Sequence, residues 1–313
     1  MKTLVTDNIE EAAALLRAGE TVIFPTETVY GLGADATNPA AVAKIYEAKQ
    51  RPSDNPLIVH IWQREQVEQL AKEIPPYAYD LMEAFFPGPF TILLPKRSII
   101  PDATTAGSSK VCLRMPSLPE AQEFLKASGL PVAAPSANLS GRPSPTRWQD
   151  CLEDMDGRVS CILKGPEASF GLESTIVDAS GSQPVLMRPG GITLEQLAQV
   201  VPDILPQPGK NAPTTPGMKY RHYAPHARVS LLDEGEKPAE NSSGAAYIGL
   251  DEPSFETSYH YRASSLEDYG RNLFSFFREC DRRGIEHIYA EKVASHGYGR
   301  AIMNRLQKAS ANH

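Results

Sequence analysis

The run Thr21-Val22-Ile23-Phe24-Pro25-Thr26-Glu27-Thr28-Val29-Tyr30-Gly31-Leu32-Gly33-Ala34-Asp35 opens with a short apolar segment of β-formers and passes into a glycine-bearing stretch. Behind it, Asn38-Pro39 introduces a helical pattern over 40–48, and 57–61 reads as a second strand. Strand, loop, helix and strand in succession predict a mixed α/β domain. Gly31 and Gly33 either let backbone approach a ligand closely or supply the angles of a strand-to-helix turn; the residues alone leave both open. A dinucleotide fingerprint does not fit, because the third glycine is missing and Gly-x-Gly sits several residues before the helix. Rossmann-type NAD binding at this segment is therefore not expected.

Working outward, β-rich apolar runs recur at 90–94, 111–115, 132–134, 175–177 and 185–187, with a helix predicted over 120–126 behind a Ser117 cap and Glu120 in capping-box spacing. The proline-rich stretch from Pro202 to Pro225 has no hydrophobic periodicity and reads as a linker. Beyond it come strands at 228–232, 245–250 and 285–290, a helix over 266–283 and a last helix ending near Ala309, the alternation of a small parallel-sheet domain. A chain of 313 residues exceeds what one core usually serves, so we divide it into a domain over 1–201, a linker over 202–227 and a second domain over 228–313.

Composition narrows the function classes. The chain is 41% hydrophobic and 22% charged, without a run of about 20 apolar residues, so neither a membrane span nor membrane partners are expected. Residues 1–17 lack the basic flank and unbroken apolar core of a signal peptide, which predicts a soluble cytoplasmic protein. The 4 cysteines have no Cys-x-x-Cys spacing and read as reduced packing thiols. A formal net charge of -7 argues against stable direct nucleic-acid binding but leaves room for a local basic pocket. Gly-x-Ser-x-Gly, His-Glu-x-x-His and Walker motifs are absent. The remaining inventory of cations, hydroxyls and glycines fits nucleotidyl transfer, in which positioning and charge stabilisation with Mg²⁺ need no protein nucleophile.

Several positions are candidates for that chemistry. Lys49 and Arg51 precede and follow Gln50 ahead of Pro52; in an extended chain they point the same way, while as last-turn residues they complement a helix dipole. His60 lies on the strand face opposite Leu57, Val59 and Ile61, facing a polar cavity or solvent. Arg114 and Arg188 close strands beside turns, where α/β proteins build sites and where solvated arginines are also common. The segment 133–141 turns from an apolar strand into Ser136, Asn138 and Ser140, which suit phosphate or ribose as well as their own backbone. Ser174 opens a strand with the same ambiguity.

Taken together, Thr26-Glu27-Thr28-Val29-Tyr30-Gly31-Leu32, Lys49-Gln50-Arg51-Pro52, Pro135-Ser136-Ala137-Asn138, Glu173-Ser174-Thr175 and Arg188-Pro189-Gly190 resemble the YrdC-type threonylcarbamoyl-AMP synthases. The linker's Pro216-Gly217-Met218-Lys219-Tyr220-Arg221-His222-Tyr223-Ala224-Pro225 and the domain after it resemble the long, two-domain form, so the likeness spans nearly the whole chain. Gln50 departs from it, standing where many relatives carry a basic residue. The resemblance implies a YrdC-like α/β domain, a mixed twisted sheet with a concave basic pocket, plus a smaller Rossmann-like α/β domain. It implies that L-threonine and bicarbonate or CO₂ form an N-carboxylate that attacks the α-phosphate of ATP and expels pyrophosphate. Lys49 and Arg51 would be catalytic. Asn55, Lys110, Ser136, Asn138, Ser144, Arg188, His222 and Tyr223 would contact ATP; Thr28, His60, Arg114, Ala134 and Ser174 would hold threonine. Mg²⁺ would arrive with ATP, with no protein ligand set assigned, and the product would pass to a downstream tRNA threonylcarbamoyl transferase complex for modification next to the anticodon. The cations and aromatics around His222 and Tyr223 suit a lid over the nucleotide. The alternatives are an RNA-binding module, opposed by the net charge, and a carbamoyl-transfer domain, whose usual acylphosphatase-like domain and zinc-finger cysteines are missing.

Overall fold

Strand-forming runs dominate the first two thirds of the computed structural model, which describes residues 2–206, 215, 223–238 and 242–311. Among these, β1 (Leu4–Thr6), β2 (Val22–Phe24), β3 (Gly31–Asp35), β4 (Ile58–His60), β5 (Phe90–Pro95), β6 (Lys110–Arg114), β7 (Val132–Ala133), β8 (Cys161–Leu163), β9 (Thr175–Asp178) and β10 (Val185–Arg188) join in one mixed sheet. Its order is β1-β8-β2-β3-β7-β4-β6-β5-β9-β10. A second, all-parallel sheet takes β11 (Arg228–Leu232), β12 (Ala246–Gly249), β13 (Tyr259–Arg262) and β14 (His287–Glu291) in the order β11-β14-β12-β13. The mixed α/β class and the parallel second sheet match expectation; β1, β3, β8 and β13 are additions.

The opening segment needs correction. Residues 31–35 form neither a turn nor a ligand loop but a strand, antiparallel to β2 and to β7. A Cβ on Gly33 would lie 2.8 Å from Val132 Cγ1 and 3.0 Å from the Phe24 ring, so glycine is required by close packing across the sheet face. The loop proper is 25–30. It is braced by Thr26, whose hydroxyl donates to the Val29 carbonyl at 2.7 Å and accepts from the Thr28 and Val29 amides.

Two helix expectations also change. The helix Pro39–Lys49 starts on Asn38, which accepts from the Ala40 and Ala41 amides, and it ends with Gln50 left-handed at φ 52°. Lys49 is therefore helical, and the extended-chain argument for its pointing with Arg51 does not apply. The helix Pro119–Ser128 begins on Leu118 with no side-chain cap, so the Ser117 capping box does not form; Pro119 at the first position sets the start instead.

One face of the large sheet carries the main core, including Ile23, Leu32, Val59, Ile92, Leu113 and Val177. In the second domain the helix Leu266–Arg282 buries Tyr269, Leu273, Phe274, Phe276 and Phe277, and that core extends to Val29 and Leu172 of the first domain. All four cysteines are buried and free. Part of the expected linker is ordered against the first domain: Leu205 pairs with Val185, and the Ala224 amide donates to Gly141 O at 3.1 Å. No helix among the described residues is long and apolar enough to cross a membrane.

Candidate functional site

Sheet register decides what the second face presents. His60 and Arg114 are partners between β4 and β6, and Arg114 and Thr91 between β6 and β5. The Thr91 hydroxyl then meets that of Ser174 at 2.8 Å. One residue pair below this polar row, on the same face, lie Ile58, Cys112, Leu93, Ile176 and Met187, a separate apolar cluster. Arg188 joins the polar row through an irregularity: Leu186 pairs with Val177, but Arg188 pairs with Ile176. The register shift turns Arg188 away from the core face that Leu186 occupies, as bulges commonly re-aim a side chain beside a site.

Over this row opens a pocket of about 600 Å³, counting its mouth, walled by the 25–30 loop, residues 134–136 and Tyr223. All five expected threonine residues, Thr28, His60, Arg114, Ala134 and Ser174, line it. So do Arg51, Ser136, Arg188 and Tyr223 from the expected ATP set. Lys49, Asn55, Lys110, Asn138 and Ser144 stand outside the lining. Lys49 is buried, and its Nζ donates to the Ser136 carbonyl at 2.5 Å and to the Asn138 carbonyl. Asn138 braces its own loop by donating to Leu139 O and Arg142 O while accepting from Ser136 Oγ at 2.6 Å. Ser144 donates to Glu173 Oε1 at 2.5 Å. Lys110, at the other end of β6 from Arg114, pairs with Asp178 at 2.9 Å. His222 lies outside the described residues.

The electrostatics are lopsided towards anions. Arg51, Arg114 and Arg188 converge, and burial pushes Arg51 down only to about 10, so it keeps its charge at neutral pH. Burial, then the Arg51 charge, push the Lys49 ammonium well below its usual range. Burial, then Arg114, push His60 down to about 3, leaving a neutral imidazole set edge-on to Phe24 at 5.7 Å. Several buried polar atoms have no hydrogen-bond partner among the described residues: Arg51 Nε, both side-chain amide atoms of Asn55, His60 Nδ1 and Arg114 Nε. Buried polar groups are ordinarily paired, so this cluster marks where a polar ligand fits.

Sequence reasoning assigned no role to three groups. Glu27 approaches Arg114 Nη2 at 2.8 Å, an ion pair without the alignment of a hydrogen bond. Glu173 lines the pocket and accepts from Arg305 Nε at 2.9 Å. Arg305 comes from the helix Gly299–Ser310 of the second domain. Glu27 and Glu173 lay inside the quoted motifs; Arg305 had no local signal.

Comparison with known proteins gives the family. The model of the Sua5/YciO/YrdC family, described as telomere recombination, matches residues 14–190. A model described as the threonylcarbamoyl-AMP synthase C-terminal domain matches residues 192–311. The threonylcarbamoyl-AMP synthase of Pyrococcus abyssi is 44% identical, across 98% of this chain and 96% of its own. That of Bacillus subtilis is also 44% identical, across 96% and 92%. A crystal structure of Pyrococcus abyssi Sua5 complexed with L-threonine is similar at a TM-score of 0.89 and 40% identity, covering 99% of this chain and 97% of that one.

Proposed function

The chain belongs to the threonylcarbamoyl-AMP synthase family in its two-domain form, and on that footing we propose how its pocket divides between two substrates. The activity is that of a transferase making threonylcarbamoyl-AMP and pyrophosphate from L-threonine, bicarbonate or CO₂, and ATP. The observation that carries the division is the set of unpaired buried polar atoms: His60 Nδ1 and Arg114 Nε at one end, Arg51 Nε and the Asn55 amide at the other.

Threonine takes the first end. The planar fork of Arg114 receives its carboxylate, with Glu27 bracing the guanidinium. Neutral His60 accepts a hydrogen bond from the amine or hydroxyl, and Thr28, Ala134 and Ser174 close around the side chain. Nearby positive charge favours the unprotonated amine, which is the form that adds to CO₂ and sheds one N–H proton to water, and then stabilises the N-carboxylate produced. One oxygen of that N-carboxylate attacks the α-phosphorus of ATP. The bond to the bridging oxygen breaks, and pyrophosphate leaves with its electron pair.

ATP takes the second end. Arg51, Arg188 and Ser136 face the phosphates, and Asn55 and Ser144, which stand outside the lining, are assigned to the same substrate. Lys49 acts on the phosphate charge from beneath the Ser136–Asn138 loop it holds. The apolar row of Ile58, Cys112 and Met187 suits the base, with Lys110 at its far end. Tyr223 covers the nucleotide as part of a lid that excludes water from the labile adenylate. Mg²⁺ enters as part of the nucleotide. No group of three or more His, Cys, Asp or Glu among the described residues offers a cage, and the pocket's carboxylates are tied to Arg114 and Arg305. We further propose a cytoplasmic location and delivery of the product to a tRNA threonylcarbamoyl transferase complex.

The test is pyrophosphate release from ATP, measured with and without threonine and bicarbonate. Release that needs both is expected; release indifferent to threonine refutes the division of the pocket. The same assay on the His222→Ala/Tyr223→Ala double variant checks the lid, which requires more AMP leakage per pyrophosphate.

A further inference from the structure

Glu173 sits in the wall of an otherwise cationic pocket, buried, with Arg188 near enough to act on it electrostatically. A buried carboxylate beside the arginine meant for a polyphosphate is a competitor for that arginine. Its oxygens are nevertheless taken elsewhere: Oε1 accepts from Ser144 at 2.5 Å and Oε2 from Arg305 Nε at 2.9 Å. Arg305 is 0% exposed and bridges both flanks of the site, donating to Glu173 O at 3.3 Å and to Pro189 O at 2.8 Å. Those flanks are in direct contact, since a Cβ on Gly190 would lie 2.5 Å from Glu173 O. Arg188 meanwhile donates to the Ser174 carbonyl at 3.0 and 2.9 Å and to its hydroxyl at 3.1 Å.

We propose that Arg305 is a positioning residue of the ATP site: it neutralises and holds Glu173, so that Arg188 faces the nucleotide phosphates and not the carboxylate. The second domain thus supplies a charge without which the first domain's pocket binds ATP poorly. This inference rests on the reading of the pocket as an ATP site. Without Arg305, Glu173 keeps one hydrogen bond, and Arg188 is a cation whose charge already acts on it.

The experiment is calorimetric titration of the full chain with ATP and Mg²⁺, without threonine, so that turnover does not enter. Failure of the parent chain to bind ATP overturns the site assignment itself, separately from the role of Arg305. Given parental binding, Arg305→Gln should weaken it about tenfold or more, because one partner of a buried charge pair is lost. Glu173→Gln/Arg305→Gln, with both charges gone, should return to within about threefold of the parent, the signature of coupled sites. Glu173→Gln alone should bind at least as tightly as the parent, and this variant keeps the proposal testable if Arg305→Gln does not fold. Unchanged binding in Arg305→Gln, a double variant no better than the single, or a tenfold loss in Glu173→Gln overturns the proposal.

Discussion

The two ends of the pocket are built differently. The end holding His60, Arg114 and Ser174 is laid down by strand register: β4 and β6 put their last residues, and β5 its second, in one row, and the hydroxyls of Thr91 and Ser174 lock it. The end holding Arg51, Arg188 and Tyr223 is assembled from a loop after a helix, a register irregularity and a segment leading into the second domain, where Tyr223 stacks on Phe274 at 5.4 Å. A regular sheet fixes side chains against their own neighbours, whereas the second end depends on contacts far apart in sequence. On the proposed division of the pocket, rigid selection of a small amino acid and adaptable cover over a long, charged nucleotide are thereby separated on one surface.

The largest expected effect breaks the second end. Lys49→Ala removes the amino group and leaves the Ser136 and Asn138 carbonyls without their donor, so turnover should fall about 10²- to 10³-fold. Steady-state kinetics with a melting control check this, and a well-folded variant of parental turnover contradicts the role given to Lys49. A smaller and more selective effect sharpens the comparison at the first end. Arg114→Lys keeps the charge and loses the fork, and should raise the KM for threonine roughly 10- to 100-fold with little change for ATP. An effect falling mainly on ATP would exchange the two ends.

The smallest effect concerns His60. Its folded value, about 3, lies below the ordinary 6.5, so between those limits the unfolded chain binds the extra proton. Stability from this group is therefore full above pH 6.5 and declines as the pH falls towards 3. His60→Gln should lose less stability than the parent between pH 7 and pH 5, read as the shift in urea midpoint. Parallel pH dependence in the two proteins would mean that His60 is not held neutral. Neutrality also predicts no His60 titration in threonine binding between pH 6 and 8.

Strands with consecutive β-formers, such as 90–94 and 111–115, were legible because their apolar content is local. Gly31-Leu32-Gly33-Ala34-Asp35 was not, since what makes it a strand is the Phe24 ring and Val132, whose proximity no local pattern states. Ser117 showed the opposite failure, a correct local signature overridden by Pro119. At the site, Thr28, Arg51, Ser136, Ser174, Arg188 and Tyr223 were legible as members of the quoted motifs, while the extended-chain geometry assumed for Lys49 was wrong because the helix runs one residue further. Arg305 was illegible for a plain reason: an arginine on an amphipathic helix looks solvated until the partner domain is in view.

Asp154 is buried and clasped from two sides, by Arg142 Nη1 at 2.6 Å within its own domain and by Arg278 Nη2 at 2.8 Å from the other. Arg278 also donates to Pro143 O at 2.6 Å, and it too is nearly inaccessible. Charges sealed this deeply tolerate few mismatched neighbours, so the joint acts as a compatibility code between the halves. A chimaera grafting a relative's C-terminal half onto this N-terminal half would be accepted only if the graft brought an arginine to the place of Arg278, whatever the likeness of the remaining surface.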